Sequence, residues 1–324
     1  MPSTRTRERI VSGVIDFLNG QDQLAIAEIR TALEREIDDA GPASLIALKE
    51  RLTVDDGRAY YAPDPLAQRI HHLLAARFVR ADSQITGLQH LDIVANQPVV
   101  IVSNHLSYSD ANVIHELLHR VGCDDLAGRL TAIAGPKVFS SRERRFSSLC
   151  FGTIKVPQSR DVSSEEAIQD AREVARAARR AIEIAAERLA GGDALVLFGE
   201  GTRSRTAQMQ RMLAGASRYL EVSGAWVLPV GITGSERLFP IGSVTVQPSR
   251  VDVRIGTPIR TDSLLAQMKR HRQTTMDLIG LAIAELVPQS YRGVYEDAGA
   301  FADAAQTLRR LSRKSAMEDL SPGT

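Results

Sequence analysis

The stretch Pro98–Val121, PVVIVSNHLSYSDANVIHELLHRV, joins two different patterns of apolar residues. Its first part, Val99–Ser103, is a continuous β-branched run, which predicts a strand that is buried on both faces. Its last part, residues 111–121, repeats its apolar side chains at helical spacing. The polar segment between the two parts contains His105 and Asp110. A strand that leads into a helix predicts one unit of an α/β fold, with candidate functional residues where the strand ends.

The same alternation continues toward the C-terminus. Short apolar runs predict further strands at Thr131–Ala134, Ile154–Pro157, Ala194–Phe198, Val227–Ile232 and Val251–Ile255. Helical patterns lie between and after these runs, at 163–190, 207–222 and 263–287. We therefore predict an α/β domain with a mostly parallel central sheet that is flanked by helices.

Both ends of the chain have a helical pattern instead. Before residue 83, apolar residues recur at helical spacing between breaks at Gly41-Pro42 and at 62–65. The last segment contains a basic amphipathic helix, which either packs on the body of the protein or touches an anionic membrane surface. We predict three parts: a helical N-terminal domain at 1–82, an α/β domain at 83–295, and a helical tail at 296–324.

Composition excludes several classes of protein. The net charge of +1 over 324 residues lacks the basic excess of a nucleic-acid-binding surface. The cysteines Cys123 and Cys150 form neither a disulfide framework nor a C-x-x-C zinc motif, and we expect both to be core residues in a reducing compartment. Because the sequence shows no signal-peptide pattern and no apolar run of about 18 residues, we predict a cytoplasmic protein, with peripheral membrane attachment as the alternative.

The doublet His71-His72 is the most visible histidine feature outside the candidate site. It lies inside a predicted helix. Neighbouring positions of a helix point in different directions, so two adjacent histidines make a poor metal site. We expect a packing or surface role for them, and no metal in the protein.

His105 and Asp110 have two interpretations. A carboxylate that accepts a hydrogen bond from one imidazole nitrogen fixes the tautomer and raises the basicity of the other nitrogen. His105 would then act as a general base on a hydroxyl group. Alternatively, Asp110 only caps the helix that follows it. The H-x4-D spacing alone does not separate these interpretations.

Two further segments carry charge next to predicted strands. In Leu195–Thr206, LVLFGEGTRSRT, a buried strand ends in Gly199-Glu200-Gly201 and leads to Arg203. A guanidinium group binds phosphate in a bidentate manner. Glu200 would accept a hydrogen bond from a substrate hydroxyl or pair with an arginine; a solvated turn is the alternative. Residues 135–161 are basic and contain Lys137 and Arg160, but they lack the aromatic sheet motif of RNA-binding domains.

Taken together and in order, these segments resemble the glycerophospholipid acyltransferases. NHLSYSD resembles the family's N-H-x4-D block, and GPKVF with FGTIKV and the later SR resembles its second block, with an approximate match at Arg160. FGEGTRSR resembles the F-P-E-G-T-R-S block, with Gly199 where the family usually has proline. VLPVGI resembles the fourth block. The resemblance covers residues 85 to 295.

The resemblance implies transfer of a fatty acyl group to 1-acylglycerol 3-phosphate or glycerol 3-phosphate in phospholipid biosynthesis. The donor would be acyl-CoA or acyl carrier protein, with no other cofactor. His105 would be the general base and Asp110 its partner. The implied substrate-binding residues are Glu200, Gly201, Thr202, Arg203, Arg160 and Lys137.

Three other functions compete with this one. The nearest is the same chemistry on another lysolipid or on an amino-lipid. The second is a non-catalytic protein that binds anionic lipid or acyl carrier protein. The third, a nucleotide phosphohydrolase, is disfavoured because the sequence has neither a P-loop nor a metal-binding carboxylate cluster.

Overall fold

The computed structural model describes residues 2–18, 23–53, 57–140, 142–157, 171–243 and 245–319. The α-helices in these stretches are α1 (Pro2–Phe17), α2 (Gln23–Thr53), α3 (Pro65–Phe78), α4 (Gln89–Ile93), α5 (Asp110–Arg120), α6 (Asp124–Gly128), α7 (Arg142–Ser148), α8 (Ala171–Ala190), α9 (Ser235–Leu238), α10 (Thr261–Arg270), α11 (Arg272–Ala284), α12 (Gln289–Arg292) and α13 (Ala302–Asp319). The strands are β1 (Tyr60–Tyr61), β2 (Gln84–Thr86), β3 (Val99–Ser103), β4 (Leu130–Ala134), β5 (Gly152–Lys155), β6 (Ala194–Phe198), β7 (Trp226–Thr233), β8 (Asp252–Ile255) and β9 (Ile259–Arg260).

The chain divides into two compact units, and each unit combines separate stretches of sequence. Unit 1 comprises Met1–Ser83, Ser107–Ala185 and Gly234–Val251. Unit 2 comprises Gln84–Leu106, Ala186–Thr233 and Asp252–Thr324. The predicted division into three consecutive parts stays a prediction.

Unit 1 contains the predicted helical bundle. Helix α1 packs on α2, α2 packs on α3, and α3 packs on α5. Buried side chains of α1, α2 and α3 share one apolar core, which includes Leu33, Leu48 and Ile70. The predicted break at Gly41-Pro42 is a kink inside α2, because Gly41 adopts a φ of 77°. Strand β5 lies between β4, to which it is parallel, and the short β1, to which it is antiparallel.

Unit 2 contains the strand that the opening stretch predicts. Strand β3 lies between β6 and β7 and is parallel to both. Its five residues are buried, as a strand covered on both faces requires. Strands β8 and β9 both pair with β7 in antiparallel orientation, and β2 pairs with β8 in parallel. The predicted α/β class is confirmed, and the antiparallel strands make the strand pairing mixed.

The helix predicted at 207–222 is wrong. The segment is irregular until a 3-10 turn at Ala214–Leu220, because its backbone amides bond elsewhere. Met209 donates to the Tyr291 carbonyl, Met212 to the Tyr295 hydroxyl, and Leu213 to the Gly199 carbonyl. The helix predicted at 263–287 is two helices, α10 and α11, which are divided at His271. The helix predicted at 163–190 is observed as α8, and residues 163–170 lie outside the described stretches.

The other sequence expectations concern membranes and cysteines. Within the described stretches, no helix has the length and apolar character needed to cross a membrane. Cys150 is buried, and burial raises the pKa of its thiol. Cys123 is half-buried, so only Cys150 is the core residue that we expected. In the tail, Ala304, Ala305 and Leu308 of α13 are buried, and α13 packs on α11.

Candidate active site

The loop that follows β3 is fixed to β7 by one buried side chain. Asn104 is fully buried, and its amide group makes two hydrogen bonds with the backbone of Ile232. The amide nitrogen donates to the Ile232 carbonyl at 2.9 Å, and the amide oxygen accepts from the Ile232 N–H at 2.8 Å. The side chain thus continues the strand pairing one residue beyond the end of β3. This arrangement sets the position of the next residue, His105.

The backbone of His105 is held on both sides by the segment that follows β6. Its N–H donates to Glu200 Oε1 at 2.9 Å, and its carbonyl accepts from the Ser204 N–H at 2.8 Å. The imidazole ring stacks on Phe198, with the ring centroids 4.2 Å apart and an interplanar angle of 18°. His105 therefore leaves the end of a rigid strand in a defined orientation, as a catalytic base requires.

Glu200 is buried and is held by backbone amides. Besides the bond from His105, its other carboxylate oxygen accepts from the Gln210 N–H at 2.8 Å. The Glu200 carboxylate therefore holds the backbone of His105 and the backbone of Gln210 next to each other. The geometry shows that Glu200 holds the His105 backbone, and the predicted contact with a substrate hydroxyl stays a prediction.

A nearby methionine explains why residue 199 is glycine. The family resemblance leads one to expect proline at this position. A Cβ atom at Gly199 would lie 2.4 Å from the Sδ atom of Met212. Met212 is buried, so its side chain fills the space that the proline ring would need. The turn itself continues through Gly201, whose φ of 71° suits glycine.

Asp110 is the first residue of α5, and Ser109 occupies the capping position, one residue before the predicted cap. Asp110 is fully buried within unit 1. Its Oδ2 atom accepts from the Ser107 N–H at 2.9 Å, and its Oδ1 atom accepts from the Ser235 hydroxyl at 2.6 Å. These two donors hold the carboxylate in one orientation.

The predicted phosphate-binding residues fall in different places. Arg203 is half-buried in unit 2 and follows the exposed Gly201 and Thr202. Lys137 is exposed in unit 1, in the 3-10 turn Pro136–Phe139. Arg160 lies outside the described residues. Within unit 2, the structure brings His105, Glu200 and the segment that carries Arg203 together.

Sequence reasoning gave no role to two residues that support this site, although one of them, Asn104, is the asparagine of the N-H-x4-D block. Asn104 and Ser235 each bond to a partner that is more than a hundred positions away along the chain. Their types alone, a buried amide and a buried hydroxyl, are too common to single out. Ser235 lies three positions after the end of the fourth block, and this position was its one available signal.

The basic residue Arg144 lies beside Tyr108, which belongs to the segment between His105 and Asp110. The guanidinium carbon of Arg144 lies 4.9 Å from the centroid of the Tyr108 ring, within unit 1. Arg144 belongs to the basic segment 135–161 but was not among the predicted site residues.

Unit 1 also contains an apolar cavity of about 380 Å³. Apolar residues of α1, α2, α3 and α7 form much of its wall, including Val14, Leu52, Leu74 and Phe146. Ser109, Asn112 and Val113, at the start of α5, also line it. The cavity therefore extends to Ser109, which precedes Asp110, and to Asn112, two positions after Asp110. Two exposed cations, Arg9 and Lys49, line it as well.

The comparison with protein families agrees with the sequence blocks. Residues 83–233 match the family model described as Acyltransferase. This segment runs from β2 to β7 and contains His105, Asp110, Glu200 and Arg203. Among solved structures, the chain is similar to the 1-acyl-sn-glycerophosphate (LPA) acyltransferase PlsC of Thermotoga maritima, with 19% sequence identity and a TM-score of 0.45. That match covers 88% of this chain and 99% of the other chain. No curated protein matches the chain.

Proposed function

We propose that this chain, whose residues 83–233 match the Acyltransferase family model, acylates a glycerophosphate lipid precursor. The donor is an acyl thioester, either acyl-CoA or acyl carrier protein, and the acceptor is 1-acylglycerol 3-phosphate or glycerol 3-phosphate. The observation that carries the proposal is the position of His105. It lies two residues beyond the end of the buried strand β3, and hydrogen bonds fix its backbone on both sides.

In the proposed reaction, His105 removes the proton from the acceptor hydroxyl. The oxygen attacks the thioester carbonyl, the new C–O bond forms, and the C–S bond breaks. The leaving thiolate takes the proton back from His105, so the enzyme returns to its starting state. Asp110, five positions after His105 in the sequence, stabilises the protonated imidazole in this proposal. No covalent enzyme intermediate is needed.

The remaining predicted residues receive roles that follow from their chemistry. Arg203, together with Arg160 and Lys137, binds the acceptor phosphate, and Gly201 and Thr202 present backbone next to Arg203. Glu200 holds the His105 backbone, as its hydrogen bond to that amide indicates. Glu200 thus acts as a positioning residue.

The apolar cavity of unit 1 is the proposed site for a fatty acyl chain. Burial of each methylene group contributes about 0.8 kcal/mol, so a cavity of this size selects strongly for an alkyl chain. Its wall reaches Ser109, next to Asp110. The exposed cations Arg9 and Lys49 would favour an anionic lipid surface near the cavity, which supports peripheral membrane attachment.

The proposal is tested by a panel of substrates. Purified protein is given acyl-CoA or acyl carrier protein as the donor. The acceptors are glycerol 3-phosphate, 1-acylglycerol 3-phosphate, a phosphate-free lysolipid and an amino-lipid. Thiol release that depends on a phosphate-containing acceptor supports the proposal. Release with only the phosphate-free or amino-lipid acceptors shows the same chemistry on another acceptor, whereas lipid binding without thiol release shows a binding protein.

The base is tested separately. We expect His105→Ala to reduce acceptor-dependent thiol release by at least about 100-fold, the typical contribution of a general base. His90→Ala, a half-buried histidine outside the site, is the matched control and should keep the wild-type rate. Wild-type activity in the His105→Ala protein would exclude His105 as the base.

A further inference from the structure

Three histidines meet where α3 packs on α5 in unit 1. His71 and His72 belong to α3, and His115 belongs to α5. The ring centroid of His115 lies 5.1 Å from those of both His71 and His72, and the latter two are 5.5 Å apart. One possible ligand atom from each residue lies within 4.8 Å of the others. The two adjacent rings of α3 thus converge on a third ring, which the doublet alone did not predict.

The polar atoms of this cluster are buried and unsatisfied. His71 is 5% exposed and His115 is 3% exposed. Both ring nitrogens of His71, and the Nδ1 atoms of His72 and His115, have no hydrogen bond of ordinary geometry in the described part of the chain. Buried polar atoms are nearly always paired in folded proteins, so unsatisfied nitrogens that face one another indicate a missing partner.

The surroundings of the three rings suit a cation. Glu116 is buried, and its Oε1 atom accepts from Arg120 Nε at 2.8 Å. Its Oε2 atom is unsatisfied among the described residues and lies 3.5 Å from His72 Nδ1.

We propose that His71, His72 and His115 bind one divalent transition-metal ion, with zinc as the expected ion. Imidazole nitrogen suits zinc, copper and nickel, and zinc binds it at about 2.0–2.1 Å in tetrahedral geometry. Three nitrogens around such an ion are about 3.4 Å apart. The present separations, of up to 4.8 Å, would have to shorten to that value when the ion binds. The side chain of His72 is 34% exposed, which gives an ion access from solvent.

The ion would have a structural role. It would join α3 to α5, and α5 begins at Asp110. His71 also lines the apolar cavity, so the same ion would stabilise one part of the cavity wall. No step of the acyl transfer involves this ion.

The first test uses wild-type full-length protein without a polyhistidine tag, freed of metal by a chelator. Cobalt(II) is added as a spectroscopic probe, followed by zinc. We expect one cobalt ion per chain, with visible absorption bands of a four- or five-coordinate nitrogen site, and displacement by one equivalent of zinc. Zinc should also raise the Tm. A wild-type protein that shows no such bands and no change in Tm would overturn the proposal, whatever the variants do.

The second test assigns the ligands. His71→Gln and His115→Gln should each weaken zinc binding by about 100-fold or more in a competition titration, at least as much as loss of an outer-shell partner. His271→Gln removes an exposed histidine of unit 2 and is the matched control, which should bind zinc as the wild type does. Equal zinc affinity in the wild type and in His115→Gln would show adventitious surface binding and exclude this site.

Discussion

At the scale of single residues, the orientation of His105 depends on one buried carboxylate. Glu200 accepts hydrogen bonds from the backbone N–H groups of His105 and Gln210, at 2.9 and 2.8 Å. A carboxylate can accept both bonds at once, because it carries only acceptors. A neutral amide in its place would turn an NH₂ group toward one of the two N–H donors. The charge of Glu200 therefore serves the local fold as well as any substrate.

Glu200→Gln separates a positioning role from direct substrate binding. If Glu200 positions His105, the variant lowers kcat by about tenfold or more and leaves the acceptor KM unchanged, since one buried N–H loses its partner at a cost of about 1–3 kcal/mol. Glu221→Gln, at a more exposed glutamate of the same unit, is the matched control. Steady-state kinetics over a range of acceptor concentrations measure both parameters. A raised KM with unchanged kcat would instead support the predicted contact with the acceptor.

Part of the site could be predicted from residue types and part could not. His105 and Glu200 each follow a continuous apolar run, so sequence reasoning placed both at strand ends, and β3 and β6 are indeed parallel neighbours. Ser235 became visible only in the structure, because its partner Asp110 is 125 positions away. A hydroxyl that supports a carboxylate has no sequence pattern of its own.

At the scale of elements, the strands were easier to predict than the segments between them. β3 and β6 have the predicted bounds, because a buried parallel strand is a continuous apolar run with little other interpretation. Residues 207–222 contain apolar residues at helical spacing, but the buried Met209 and Met212 donate their amides to distant partners. In this segment, hydrogen bonds to distant residues prevent the helix that the local periodicity predicts. No local sequence pattern indicates such bonds.

The cavity at α1 offers a test of acyl-chain selection. Gly13 lines the cavity, and a Cβ atom built on it has no other atom within 4 Å. Gly13→Phe should therefore fold, and its ring should shorten the space for an acyl chain. We expect the kcat/KM for the longest accepted donor to fall at least about tenfold. This is the effect of losing about 1.4 kcal/mol, or the burial of roughly two methylene groups. Short donors should react as they do with the wild type.

The measurement is a series of acyl donors of increasing chain length. Gly215→Phe, at an exposed glycine of unit 2 that also has open space around its Cβ position, is the matched control. An unchanged chain-length profile in Gly13→Phe would place the acyl chain somewhere other than this cavity.

At the scale of the whole molecule, each compact unit combines stretches that are far apart in sequence. The loop after β3 begins in unit 2 and continues in unit 1, so the predicted site residues are divided between the two units. Changes in composition and pattern along a sequence mark only the boundaries between consecutive segments, so a prediction from them divides the chain into consecutive domains. The interleaving is set by tertiary contacts, so it could not be predicted from the sequence.

Global stability should fall at alkaline pH because of Tyr295. This residue is 2% exposed, and its hydroxyl accepts from the Met212 N–H and donates to Asp277. Burial raises its pKa, so the folded protein keeps the phenol proton at a pH where the unfolded chain, with a pKa near 10, has lost it. The stabilisation is present below pH 10 and is lost as the pH rises further, by about 1.4 kcal/mol at pH 11.

Urea unfolding at pH 8 and pH 11 measures this change. Tyr295→Phe should be less stable at pH 8 and should lose about 1.4 kcal/mol less than the wild type between the two values. Equal losses in both proteins would assign the alkaline effect to other groups.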